Sequence, residues 1–224
     1  MPITTTTQPE GSVLARLRAL IPRRPLSLDE ALQLAELQAS RLLELTGGPV
    51  IPVATRIISE QPRIRVEHDP ELPAHAASGC SDWDSRHRRW VISLNPNEPR
   101  RRQRFTVLHE YKHIIDHSSP GIRISQAVSR LPRAAEEIVA DYFAGCALIP
   151  KRQLAAAYYD GIQGLADLAQ LFDVSKEAIQ VRLAQVGLGE LPLPPHTPRP
   201  TPLRRSRRAR YYRIATSPQM EAVA

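Results

Sequence analysis

From Ser27 onward the apolar positions recur every three or four residues as far as Leu45, the spacing that gathers them on one face of a helix. Ser27-Leu28-Asp29-Glu30 has the form of a capping box, with the serine hydroxyl closing one orphan amide and the glutamate reaching back to another, so a helix is predicted over residues 28–45. Gly47-Gly48 stops it. The period then shortens. Apolar, β-branched runs at 50–58, 64–66 and 90–94, separated by Pro, Asp, Gly and Ser, predict a small, twisted, mainly antiparallel sheet. Residues 79–88 read as a loop or hairpin, and neither Cys80 nor Trp83 is assigned a role. A second long helix is predicted from near Asn97, with Pro99 in its first turn, to His117, and a third over 133–148, closed by Pro150. Two shorter helices, 165–172 and 176–186, are joined by Asp173-Val174 with Ser175 as a cap. The fold class expected is α+β, without internal repeats.

Composition trims this picture at both ends. The 224-residue chain carries a formal charge of +7, but residues 191–224 hold seven arginines against one acid, Glu221, which leaves the body close to neutral. That segment also holds seven prolines and few apolar residues, so it is expected to be a disordered basic tail whose charge permits weak, sequence-independent contact with nucleic acid. Residues 1–12 are polar, aperiodic and expected to be disordered. Two cysteines, Cys80 and Cys146, are too few for a disulfide framework and lack the paired spacing of a cysteine-ligated zinc. Arg16 and Arg18 interrupt the apolar run 13–21, so no signal-peptide core is seen, and no stretch reaches the roughly 18 apolar residues that span a bilayer. A cytoplasmic protein without membrane contact is expected.

The chemistry lies in His109-Glu110-Tyr111-Lys112-His113. On a helix, positions i and i+4 stand one turn apart on one face, so two imidazoles can converge on one ion while Glu110 reaches a water beside it as general base. At about 100° per residue, His109, His113, His117 and Glu110 fall within about 100° of one another, whereas Val107, Leu108, Tyr111, Ile114 and Ile115 occupy the opposite side. Three histidines and a carboxylate on one face are unusual for a solvated helix. A catalytic zinc takes three protein ligands and keeps a position for water. His117 cannot be the third, since it lies about 12 Å along the axis from His109; it is left as a substrate-facing or structural residue. The helix 133–148 offers Glu136 and Glu137, between which spacing does not choose, and Asp141, one turn on, could accept a hydrogen bond from a ligating imidazole. His117 and Tyr142 are candidates to stabilise the oxyanion.

The sequence Arg104-Phe105-Thr106-Val107-Leu108-His109-Glu110-Tyr111-Lys112-His113, followed by Glu137-Ile138-Val139-Ala140-Asp141-Tyr142-Phe143-Ala144 and the stop Leu148-Ile149-Pro150, resembles the ImmA/IrrE family of metallo-endopeptidases. The resemblance covers roughly residues 27–188. It implies a zincin-type helix pair with His109, His113 and Glu137 as Zn2+ ligands and Glu110 as the base. Tyr111-Lys112 stands where many members carry Leu-Gly, and Asp141 where asparagine is common; neither departure removes a catalytic group. The resemblance further implies a protein substrate, a helix-turn-helix transcriptional repressor of a phage, mobile element or stress operon. The expected division is a disordered 1–12, a peptidase-like domain over 13–150, a helix-turn-helix-like extension over 151–190 and the tail 191–224. Two rivals stand beside this function. One is a DNA-binding regulator using residues 165–186 and the tail, although Lys176 is followed at once by Glu177 and the second helix is not basic. The other is a metal-holding interaction protein without turnover.

Overall fold

The computed structural model describes residues 11–72, 78–117 and 133–189, and the backbone of 213–214. Helix α1 (Val13–Arg18) is capped by Ser12, whose side chain accepts from the Ala15 amide. Residues 1–10 lie outside the described residues. Helix α2 (Leu28–Leu45) opens with the anticipated capping box: Ser27 Oγ accepts from the Glu30 amide and Glu30 accepts from the Ser27 amide. Its apolar stripe, including Leu32, Ala35, Ala39 and Leu42, is buried, and Gly48, at φ 87°, donates its amide to the Leu43 carbonyl to close the end.

The sheet departs from expectation in two ways. The run 50–58 is not one strand: β1 (Val50–Ile51) is followed by Pro52, which has no amide to give a ladder, and then by the one-turn helix α3 (Arg56–Ser59). The strands β2 (Ile64–His68), β3 (Gly79–Asp84) and β4 (Arg89–Leu94) form a three-stranded sheet in the order β2-β4-β3. Pairing of β3 with β4 is antiparallel, through the hairpin foreseen at 79–88, but β2 runs parallel to β4 in the register Ile64↔Trp90 to His68↔Leu94. The sheet is therefore mixed. The chain leaves β2, crosses to the far edge, and the hairpin then fills the centre with β4. Alternation on β4 buries Trp90, Ile92 and Leu94, and this face packs on α4 (Arg100–Asp116).

Helix α5 (Arg133–Leu148) lies between α2 and α4. Ala140 and Ala144 are fully buried on it, and small side chains let helix axes approach closely. Helix α6 (Lys151–Tyr159), which the pattern did not anticipate, leads to α7 (Leu165–Phe172) and α8 (Lys176–Gln185). Ser175 caps α8 as expected, accepting from the Ala178 amide, and Asp173 takes the left-handed conformation between the two helices. Leu168, Phe172, Ile179 and Leu183 join the same hydrophobic core as α2, α4 and α5. In the segment expected to be a disordered tail, the backbone of β5 (Arg213–Ile214) pairs in parallel with β1. The rest of 190–224 lies outside the described residues.

Candidate metal centre

Helix α4 is fixed by its buried face before it offers anything to a ligand. Tyr111 is fully buried and its hydroxyl donates to Gln61 Oε1 at 2.7 Å. Lys112, only 1% exposed, donates through Nζ to Gln38 Oε1 at 2.9 Å and to Asp116 Oδ1 at 2.6 Å, so the charge is neutralised where burial would otherwise be costly. At the carboxyl end Arg18 of α1 donates to the Ile114 and Ile115 carbonyls, which a helix leaves without intrahelical partners. Near the amino end Arg104 donates to the Asp173 carbonyl at 3.1 Å and to the Val53 carbonyl at 2.9 Å.

The opposite face carries His109, Glu110 and His113. Nε2 of His113 lies 3.1 Å from Nε2 of His109, which lies 3.2 Å from Glu137 Oε2 on α5; His113 Nε2 to Glu137 Oε1 is 3.7 Å. Among the described residues, these three are the group of His, Cys, Asp and Glu whose ligand atoms could surround one ion. Glu136, the alternative left open by spacing, lines the same cleft but does not join this group, because one residue along a helix is a turn of about 100°. Asp141 Oδ1 is 2.8 Å from His109 Nδ1. Burial by itself lowers the His109 pKa, but its hydrogen bond to Asp141 and the charges of Asp141, Glu110 and Glu137 outweigh burial and raise it above the ordinary histidine value.

The donor set fits a small divalent cation. With its Nδ1 proton held by Asp141, His109 can offer Nε2 to a cation together with the His113 imidazole and the Glu137 carboxylate. Tetrahedral bonds of about 2.0–2.1 Å set ligand atoms about 3.3 Å apart, close to the separations here.

The surrounding cleft has a volume of about 960 Å³. Strand β3 forms one wall, and Ser81 Oγ donates to Glu110 Oε2 at 2.9 Å. The sequence reading missed this contact, since GCSDWD lacks the apolar alternation that marks a strand. Cys80 also lines the wall, with a thiol pushed up to about 11 by burial and by the nearby Asp82 and Glu110 charges. His117 lies in the cleft with its ring edge-on to Trp90 at 4.9 Å. Tyr142 does not. One residue beyond Asp141, it is turned to the other side of α5, where its hydroxyl donates to Glu36 at 3.2 Å and its ring meets Arg182, so the expectation that it faces the reacting groups is corrected.

The sequence profile of the IrrE N-terminal-like domain, Peptidase_M78, matches residues 65–184, more than half of the chain and the part that holds every residue of this cleft described above. The chain belongs to that family, one of metallopeptidases. No curated protein matches the sequence. Among solved structures, a Mycobacterium tuberculosis transcriptional regulator aligns at a TM-score of 0.47 and 16% identity, covering 77% of this chain and 51% of its own. The present chain thus spans about half the length of that protein.

Proposed function

We propose that this chain is a zinc-dependent endopeptidase in which His109, His113 and Glu137 hold the metal and Glu110 is the general base. The observation that carries the reading is the convergence of the three ligand atoms, 3.1 to 3.7 Å apart, in the cleft that also contains the Glu110 carboxylate. Two histidines and one glutamate are a donor set suited to catalytic zinc, which would polarise the scissile carbonyl and acidify the attacking water. Asp141 fixes the His109 tautomer by accepting its Nδ1 proton. Glu110 takes a proton from the attacking water and later delivers it to the leaving amine. Ser81 holds one carboxylate oxygen of Glu110 and leaves the other for that exchange. His117, on the cleft wall beside Trp90, is our candidate to meet the oxyanion.

The substrate class follows from the family resemblance: a helix-turn-helix repressor cut at one site in the cytoplasm. Burial of Ile179, Arg182 and Leu183 in the core supports a folding or substrate-docking role for α7 and α8 over operator reading. The test is Glu110→Gln, which should keep one zinc per chain and lower kcat by about 10²- to 10⁴-fold on a small helix-turn-helix protein encoded beside this one. Equal cleavage by both forms would sink the proposal. For the third ligand, Glu137→Ala should lose zinc and Glu136→Ala retain it.

A further inference from the structure

A second cleft, about 990 Å³ in volume, lies between α4, α5 and α8 and borders the first, since Arg102, Phe105 and Asp141 line both. Its surface is apolar, with Phe105, Ile138, Leu148, Val174, Ala178 and Val181 on its walls. Ile138 and Val181 are 36% and 40% exposed, an uncovered apolar pair on two facing helices. The rim is cationic. Arg102 of α4 and Lys176 of α8 are its cations, Arg101 beside them being paired with Asp173 at 3.4 Å, while of its acids Asp141 is hydrogen-bonded to His109 and Glu177 occupies the first turn of α8. Arg182 at the floor is paired with Glu36 at 3.0 Å.

We propose that this groove holds an apolar, acid-flanked stretch of the protein substrate, and so anchors the polypeptide whose scissile bond lies in the adjoining metal cleft. The proposal rests on the peptidase reading of that cleft. The shared walls at Arg102, Phe105 and Asp141 set the groove beside the metal cleft, within reach of one polypeptide. Apolar walls call for bulky aliphatic side chains, and a cationic rim selects acidic neighbours over basic ones. The same charge disfavours this protein's own residues 191–224, with seven arginines against one acid. The groove also redefines α8. In a DNA reader the first turns of the second helix project into a major groove, whereas here Ser175, Lys176, Ala178 and Val181 line the wall of an apolar cleft.

The experiment measures fluorescence anisotropy of a fluorescein-labelled peptide, a run of leucines flanked by glutamates, on the full-length Glu110→Gln chain with zinc and with chelator. The expected result is saturable binding in both conditions. It should weaken about tenfold with Val181→Glu and again with Lys176→Glu, and when the peptide's glutamates become lysines. Both positions are exposed, so circular dichroism should show the variants folded. Binding unchanged by both substitutions overturns the proposal. So does binding that appears only after residues 191–224 are removed, which assigns the groove to this chain's own tail. A dimer abolished by Val181→Glu assigns it to a second copy and likewise overturns the proposal. The two readings fail separately. Absence of bound zinc with intact, variant-sensitive peptide binding removes the catalytic reading alone, and bound zinc with variant-insensitive peptide binding removes the groove alone.

Discussion

Ser81 reaches Glu110 across 29 residues of sequence, and a hydrogen bond to a charged group contributes about 1.5–3 kcal/mol. Ser81→Ala should therefore lower kcat by about tenfold or more while leaving zinc stoichiometry intact, and Ser81→Thr, which keeps a hydroxyl, should recover much of the loss. Steady-state kinetics beside metal analysis decides it. The cysteines give a second outcome at this scale. Burial raises Cys80 to about 11 and Cys146 to about 12, so at pH 8 only about one Cys80 in a thousand is thiolate. Ellman's reagent should react slowly with the folded protein, faster as pH rises toward 11, and with both thiols once it is denatured; a rapid native burst at pH 8 would contradict the structure. The placement of His109, Glu110 and His113 was legible because i,i+4 spacing is local geometry. Ser81 was not, because its partner is brought to it by the sheet, and Tyr142 was misplaced because a single residue of rotation decides which side of α5 a side chain takes.

Helices were legible wherever capping chemistry and period agreed, as at Ser27 for α2 and Ser175 for α8. The capping box predicts that Ser27→Ala costs about 1 kcal/mol in denaturant unfolding. Glu30 is held down to about 2, chiefly by its hydrogen bond to Arg24 and then by the Ser27 amide. A depressed carboxylate stabilises the fold above its unfolded value near 4.5 and stops doing so as pH falls toward 2, so the effect of Glu30→Gln, which removes that carboxylate, should shrink across that window. Strands were less legible. The polar sequence of β3 shows no alternation, and the parallel partnership of β2 with β4 depends on a crossover that no local pattern records. Gly79 supplies a test of how β3 is seated. A Cβ there would lie 2.6 Å from Thr106 Cγ2 and 2.8 Å from the Ser93 carbonyl oxygen, so strand and α4 approach as closely as glycine allows. Gly79→Ala should push the strand outward, costing about 1–3 kcal/mol in stability, and should reduce activity as Ser81 moves with it; wild-type stability and kinetics together would rule out this seating.

For the molecule as a whole, deletion of residues 191–224 should leave one zinc per chain, because the only described pairing in that segment is the two-residue β5 against β1. A deletion that lost the metal would show that β5 braces the centre. The two buried arginines bear on a different boundary. Arg104 runs from the metal helix to the carbonyls of Asp173 and Val53, and Arg182 runs from α8 to the Ile149 carbonyl and Glu36. Each guanidinium is nearly sealed from water, so removing its partners would strand a charge in the interior at a cost of about 3–5 kcal/mol. Residues 151–189 are thus a poor candidate for an independently folding unit, despite the sequence boundary drawn at 150. Calorimetry should record one endotherm with equal calorimetric and van't Hoff enthalpies. A fragment ending at residue 150 should emerge from expression insoluble, and recombination between relatives should succeed only where the exchanged segment carries both ends of each arginine tether.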